Sequence, residues 1–226
     1  MKHVRTANQL IERLDDELAW RLQELVSIRR AIRNSSGVTE TSLLRAAVPI
    51  LYAHWEGFVK AAAIGYANFI STQGIPFGKL QRSFKGLRAL THVKQLHEIK
   101  RRIFVAAEII NTLENIDKEA CKLPLASHIS YIGNLDYDIF EQIVEFLSIG
   151  GANYTTRKQL IDETLLKMRN EIAHGEYLLI DFHEFEALSD NILEIMRQFK
   201  TDIQNAVVRR DYLRPSASSG PTETLN

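Results

Sequence analysis

The chain has 226 residues, 45% of them hydrophobic and 25% charged, with 28 Lys+Arg balancing 28 Asp+Glu. That length predicts one large domain, and that composition supplies a core, which excludes a disordered chain. The single cysteine, Cys121, excludes an intramolecular disulfide and any cysteine-based zinc cluster and fits a reducing cytoplasm.

From the N-terminus, MKHVRTANQLIERLDD turns polar and acidic where a signal peptide needs an apolar stretch. The longest run free of strongly polar residues, 61–67, is far short of the roughly 20 residues that span a bilayer. A cytoplasmic protein with no membrane contact is expected. Leu10, Leu14, Leu18, Leu22, Leu25 and Ile28 recur three or four apart, which predicts one amphipathic helix over 5–33. Asn34-Ser-Ser-Gly37 stops it, and 39–42 offer N-cap chemistry for a second helix running to about residue 72. Pro49 predicts a kink or restart there, because it has no N–H to donate. Beyond it Tyr52, Trp55, Phe58, Tyr66 and Phe69 make the helix apolar around its circumference, so it belongs at the centre of the bundle.

Three glycines and a proline predict a loop over 73–88, then a weaker helix over 89–113 and an irregular stretch to Leu135. Asp136 caps a short helix through Leu147, which Gly150-Gly151 terminates, Arg157 to Ala173 forms the next, and a last helix covers about 181–209. No strand alternation and no repeat emerges, so the fold class is all-α. One domain over 1–210, with its core in 40–210, and a flexible tail over 211–226 rich in Pro, Ser and Gly complete the organisation.

Zero net charge hides a segregation. Lys79, Arg82, Lys85, Arg88, Lys94, Lys100, Arg101 and Arg102 stand against one acid, Glu98, whereas 103–150 holds eight acids and two lysines. Such asymmetry steers an anionic partner, and it equally describes solvated helix faces. Neither phosphate-cradling glycine motif occurs, nor do the HExxH or EF-hand patterns, so no cofactor and no metal are expected.

The segment Met168-Arg169-Asn170-Glu171-Ile172-Ala173-His174-Gly175 carries the chemistry. Spacing alone says little, since 17 arginines and 7 histidines in this length produce an Arg-x4-6-His pair by chance. Its context is more informative. On a helix Asn170 and His174 share a face, whereas Arg169 lies about 140° round and roughly 7–8 Å back along the axis. One helix does not focus both groups on one atom, but two copies about a two-fold axis can. A proton-exchanging imidazole beside a permanent guanidinium suits phosphodiester chemistry.

RNEIAHG resembles the Arg-x4-6-His signature of HEPN domains. Ile50 to Ala62 (ILYAHWEGFVKAA) and Asn134 to Gly151 (NLDYDIFEQIVEFLSIGG) resemble the Tyr-x-x-[Trp/Phe]-Glu-Gly helix and the short preceding helix of the MAE-type and RiboL-PSP-like HEPN families. The resemblance implies a bundle with two long antiparallel central helices that dimerises around a composite cleft. It also implies metal-independent endoribonuclease activity of the toxin, abortive-infection and defence kind, with an antitoxin or defence partner. Arg169 and His174 are then the catalytic pair and Asn170 assists. The 2′-OH attacks the neighbouring phosphate to leave a 2′,3′-cyclic phosphate. Glu56, a carboxylate on an apolar helix, needs a partner; Arg169, His174 and Lys60 are the candidates. Lys94, Lys100, Arg101 and Arg102 form the RNA approach, and Tyr52, Trp55 and Phe58 belong to the core rather than to base stacking. His54, on another face from Glu56, is structural. The rival expectation is a silent HEPN domain that binds or regulates a nucleotidyltransferase or ATPase.

Overall fold

The computed structural model describes residues 4–89, 110–111, 114–129, 133–150 and 154–215, and the described residues form no strand. Helix α1 spans Ala7–Arg33 and opens with a capping box, in which the Thr6 hydroxyl accepts from Gln9 N–H while the Gln9 side chain returns to the backbone of Thr6. Its buried stripe is Leu10, Leu14, Leu18, Leu25 and Ile32, with Arg21 as the one charged member. Helix α2 spans Gly37–Thr72 and starts ahead of the expected threonine cap, with no side-chain cap at Ser36. Pro49 does not break it. The missing N–H removes one bond to the Arg45 carbonyl, but Val48, Leu51, Tyr52 and Trp55 around it are buried. Burying such a side chain contributes roughly 1.5–3 kcal/mol, enough to carry one lost ladder bond.

α1 and α2 form an antiparallel hairpin. Gly65 lets Leu10 approach and Gly57 lets Arg21 approach, so that a Cβ at either would meet the neighbour at 3.2 Å. Helix α6, Phe182–Arg209, is capped by Asp181 and Glu184 in a second capping box and runs antiparallel to α1. Lys200 reaches Asp15 at 2.7 Å at one end, and Arg29 reaches Asp190 at 2.5 Å towards the other.

The remaining elements wrap this core. The expected loop over 73–88 is instead a short 3-10 turn, Phe77–Lys79, followed by helical residues 82–89. Leu80, Phe84 and Leu87 are spaced four and three apart and all are buried, an apolar stripe that the surrounding glycines concealed. The helix expected over 89–113 falls almost wholly outside the described residues. A short helix α3, Leu125–Ile129, interrupts the expected irregular stretch. Helix α4, Tyr137–Leu147, is capped by Asp136 and ends at Leu147 as expected, but the left-handed residue that closes it is Ser148 (φ 55) rather than the glycine pair. Helix α5 is composite: a π-helical part, Gln159–Leu166, passes into an α-helical part, Lys167–Ala173. The first residues of the expected tail, 211–215, pack against the bundle. Tyr212 is buried, and Gln81 N–H and Arg214 N–H bond across to Tyr212 and Lys79 carbonyls at 2.9 Å each. Residues 216–226 lie outside the described residues.

Candidate active site

Arg169 and Asn170 lie in the α-helical part of α5, and His174 is the residue that ends it. The end is a Schellman motif: Gly175 N–H bonds Ile172 O at 3.1 Å, and Glu176 N–H bonds Glu171 O at 2.9 Å. Gly175 sits at φ 79, the left-handed region this closure requires. His174 is exposed, and no side-chain partner holds its ring among the described residues. The π-helical part ahead of it, where a wider turn shifts the face that α5 presents, is a feature often found next to functional groups.

Arg169 turns the other way, towards α2. Its guanidinium carbon lies 5.1 Å from the centroid of the Tyr52 ring, and one of its Nη–H groups donates to Asn170 Oδ1 at 2.8 Å. No carboxylate pairs with it among the described residues. A half-buried guanidinium stacked on an aromatic face and lacking a fixed anion is available to a phosphate.

Tyr52 is itself held. Its hydroxyl accepts from Leu135 N–H at 2.6 Å. Burial and then the nearby Glu56 carboxylate raise the phenol pKa above its ordinary 10.0, and Leu135 N–H and Arg169 offset only part of this, so the group stays neutral. Glu56 pairs with Lys60 at 2.5 Å, one turn along α2. Of its candidate partners Lys60 is the one it pairs with, and no ion pair joins it to Arg169 or His174 among the described residues. Tyr137 N–H donates to Asp162 Oδ1 at 2.7 Å, which ties the start of α4 to α5 and fixes the Leu135 loop against the site.

His54 stands away from this constellation. Its Nε2 lies 3.0 Å from Glu24 of α1, and its ring meets Trp20 edge-on at 5.2 Å. Trp55 is buried against Phe140 at 4.9 Å, and Phe58 is buried too, so both are core residues. Cys121 is buried, and burial pushes its thiol up to about 12, which leaves it no nucleophilic role at neutral pH. Lys94, Lys100, Arg101 and Arg102 lie outside the described residues. Of the described part of that basic stretch, Lys85 pairs with Asp117 and Arg88 with Glu119, so local acids cancel some of its charge. Sequence reasoning placed Tyr52 only in the core; its spacing of four from Glu56 was the available signal.

A family model for MAE_28990-like HEPN domains matches residues 10–212, nearly the whole of the described bundle. The chain belongs to this family. No curated protein and no solved structure matches it. As a HEPN domain its motif helix is α5 and its YxHWEG helix is α2, and these are the two elements that meet at Arg169. Among the described residues no cluster of three or more His, Cys, Asp or Glu could hold a metal ion, and no helix is long and apolar enough to cross a membrane.

Proposed function

We propose that this HEPN domain is a metal-independent endoribonuclease acting as a toxin or antiviral defence effector, and that a homodimer forms its working site. The observation that carries this reading is the placement of Arg169, cradled on Tyr52 and, among the described residues, without a carboxylate partner, five residues from a histidine in an exposed turn whose ring none of them bonds. In the reaction the 2′-oxygen of RNA bonds to the adjacent phosphorus and the bond from phosphorus to the 5′-oxygen breaks. One proton leaves the 2′-hydroxyl and one is delivered to the departing 5′-oxygen, giving a 2′,3′-cyclic phosphate and a 5′-hydroxyl. His174 exchanges a proton in this sequence, as base or as acid, and Arg169 neutralises charge growing on the phosphoryl oxygens. Asn170, bonded to Arg169, keeps the guanidinium oriented. Lys94, Lys100, Arg101 and Arg102 are assigned to the RNA approach.

The two groups face different ways from one helix, so a second copy that supplies the complementary residue supports the dimeric reading. Tyr177 and Leu179 next to His174 are exposed large hydrophobics, as a surface awaiting a partner would have. The test is RNA cleavage by purified protein in excess EDTA beside Arg169→Ala and His174→Ala. Cyclic-phosphate ends that fall at least about 100-fold in both variants, with folding intact, are expected. A silent HEPN domain serving a nucleotidyltransferase or ATPase is the second reading, favoured by the lack, among the described residues, of a hydrogen bond to the His174 ring. Folded wild type that cleaves no RNA pool would move the assignment there.

A further inference from the structure

α2 reaches the motif segment at a second point. Arg45, seven residues before Tyr52, lies on the same face of the helix two turns away. Its guanidinium donates through Nη2 to the Glu176 carbonyl at 3.0 Å, and its carbon lies 5.5 Å from the Tyr177 ring centroid. The other terminal nitrogen, Nη1, is buried with no hydrogen-bond partner. The contacts therefore cross: the arginine of α5 stacks on a tyrosine of α2, and the arginine of α2 stacks on a tyrosine that follows α5. In the sequence His174 lies between Arg169 and Glu176, the residues these two contacts hold.

We propose that Arg45 is a positioning residue for His174. Glu176 is the residue whose N–H closes the Schellman motif, so a guanidinium bonded to its carbonyl grips the far side of the turn carrying the imidazole. The turn is closed by its own two backbone bonds, and nothing bonds the His174 ring among the described residues. The clamp adds a side-chain anchor from α2 to that closure. α2 provides one anchor for each half of the site, Tyr52 for Arg169 and Arg45 for His174. Arg45 acts through the backbone and does not touch the reacting atoms. The assignment rests on the nuclease reading for its kinetic consequence, but the clamp itself does not.

The experiment compares wild type, Arg45→Lys and Arg45→Ala in two measurements. With a defined RNA substrate, Arg45→Ala is expected to lower kcat about tenfold or more at nearly constant KM, while binding of an RNA carrying 2′-deoxy at the scissile position holds. Arg45→Lys keeps the charge without the planar fork and is expected to rescue little. A loss confined to KM, with a shallower salt dependence, would show a direct phosphate contact and overturn the positioning role. The second measurement is the NMR signal of the His174 ring, assigned by its disappearance in His174→Ala. In Arg45→Ala it is expected to shift and sharpen towards a freely rotating imidazole while the melting temperature stays within a few degrees. An unmoved signal overturns the proposal even if wild type cleaves nothing, in which case it is the nuclease reading that has failed.

Discussion

A buried tyrosine whose hydroxyl is fixed by a backbone N–H is a rigid wall, and at Tyr52 that wall faces Arg169. The ring and the hydroxyl do separable jobs. Tyr52→Phe keeps the aromatic face but strands the Leu135 N–H, so it should cost about 1–3 kcal/mol in denaturant unfolding. Cleavage should fall less than tenfold, because the stacking surface survives. Tyr52→Leu removes the face and should lower cleavage by a further order of magnitude, in line with about 0.5–2 kcal/mol for a guanidinium–aromatic contact. Equal cleavage by the two variants would show that the ring does not hold Arg169. Residues such as these mark the limit of sequence reading at the site. Arg169, Asn170 and His174 sit in six consecutive residues and were legible as a motif, whereas Tyr52 and Arg45 lie more than a hundred residues earlier. Their role exists only because α2 packs along α5, and no local pattern encodes that.

At the scale of elements, helices with an unbroken apolar stripe and a capping residue were legible, because both signals are local. α1 and α6 fall within two residues of expectation for that reason. The π-helical part of α5 was not legible, since Gln159–Leu166 contains neither glycine nor proline to mark it. The continuity of α2 through Pro49 was hidden too, because burial on both sides of the proline outweighs its local preference. The α1–α2 contact carries a pH dependence of its own. His54 is buried, and desolvation drives its pKa below the ordinary 6.5, with Arg21 pushing the same way and Glu24 opposing. The unfolded chain therefore binds more protons than the native one in the window below pH 6.5, so stability rises with pH there. As pH falls from neutrality through 6.5 towards the lower native value, this contribution is lost. Urea midpoints measured from pH 7.5 to 5 should decline more steeply for wild type than for His54→Asn, all other groups being common to both. Parallel curves would mean that His54 titrates alike in the two states.

For the whole molecule the central question is whether one chain or two make the site. Arg169 leans onto α2 and His174 faces solvent, about 140° apart on ideal helical geometry. In a two-fold dimer each cleft would then take its arginine from one protomer and its histidine from the other. That arrangement makes a quantitative prediction. On that reading Arg169→Ala and His174→Ala are each expected to be inactive alone. In their heterodimer, one cleft receives both alanines and the other receives both intact residues. Random exchange of equal amounts makes half the dimers heterodimers, each with one working cleft in two, so activity should return to about a quarter of wild type. If each site lies within a single chain, every cleft in the mixture is damaged and nothing returns. The double variant mixed with wild type supplies the control: its heterodimer pairs an alanine with an intact residue in both clefts when the site is composite. Mixing would then depress activity below simple dilution, whereas independent single-chain sites would leave it proportional to the wild-type share.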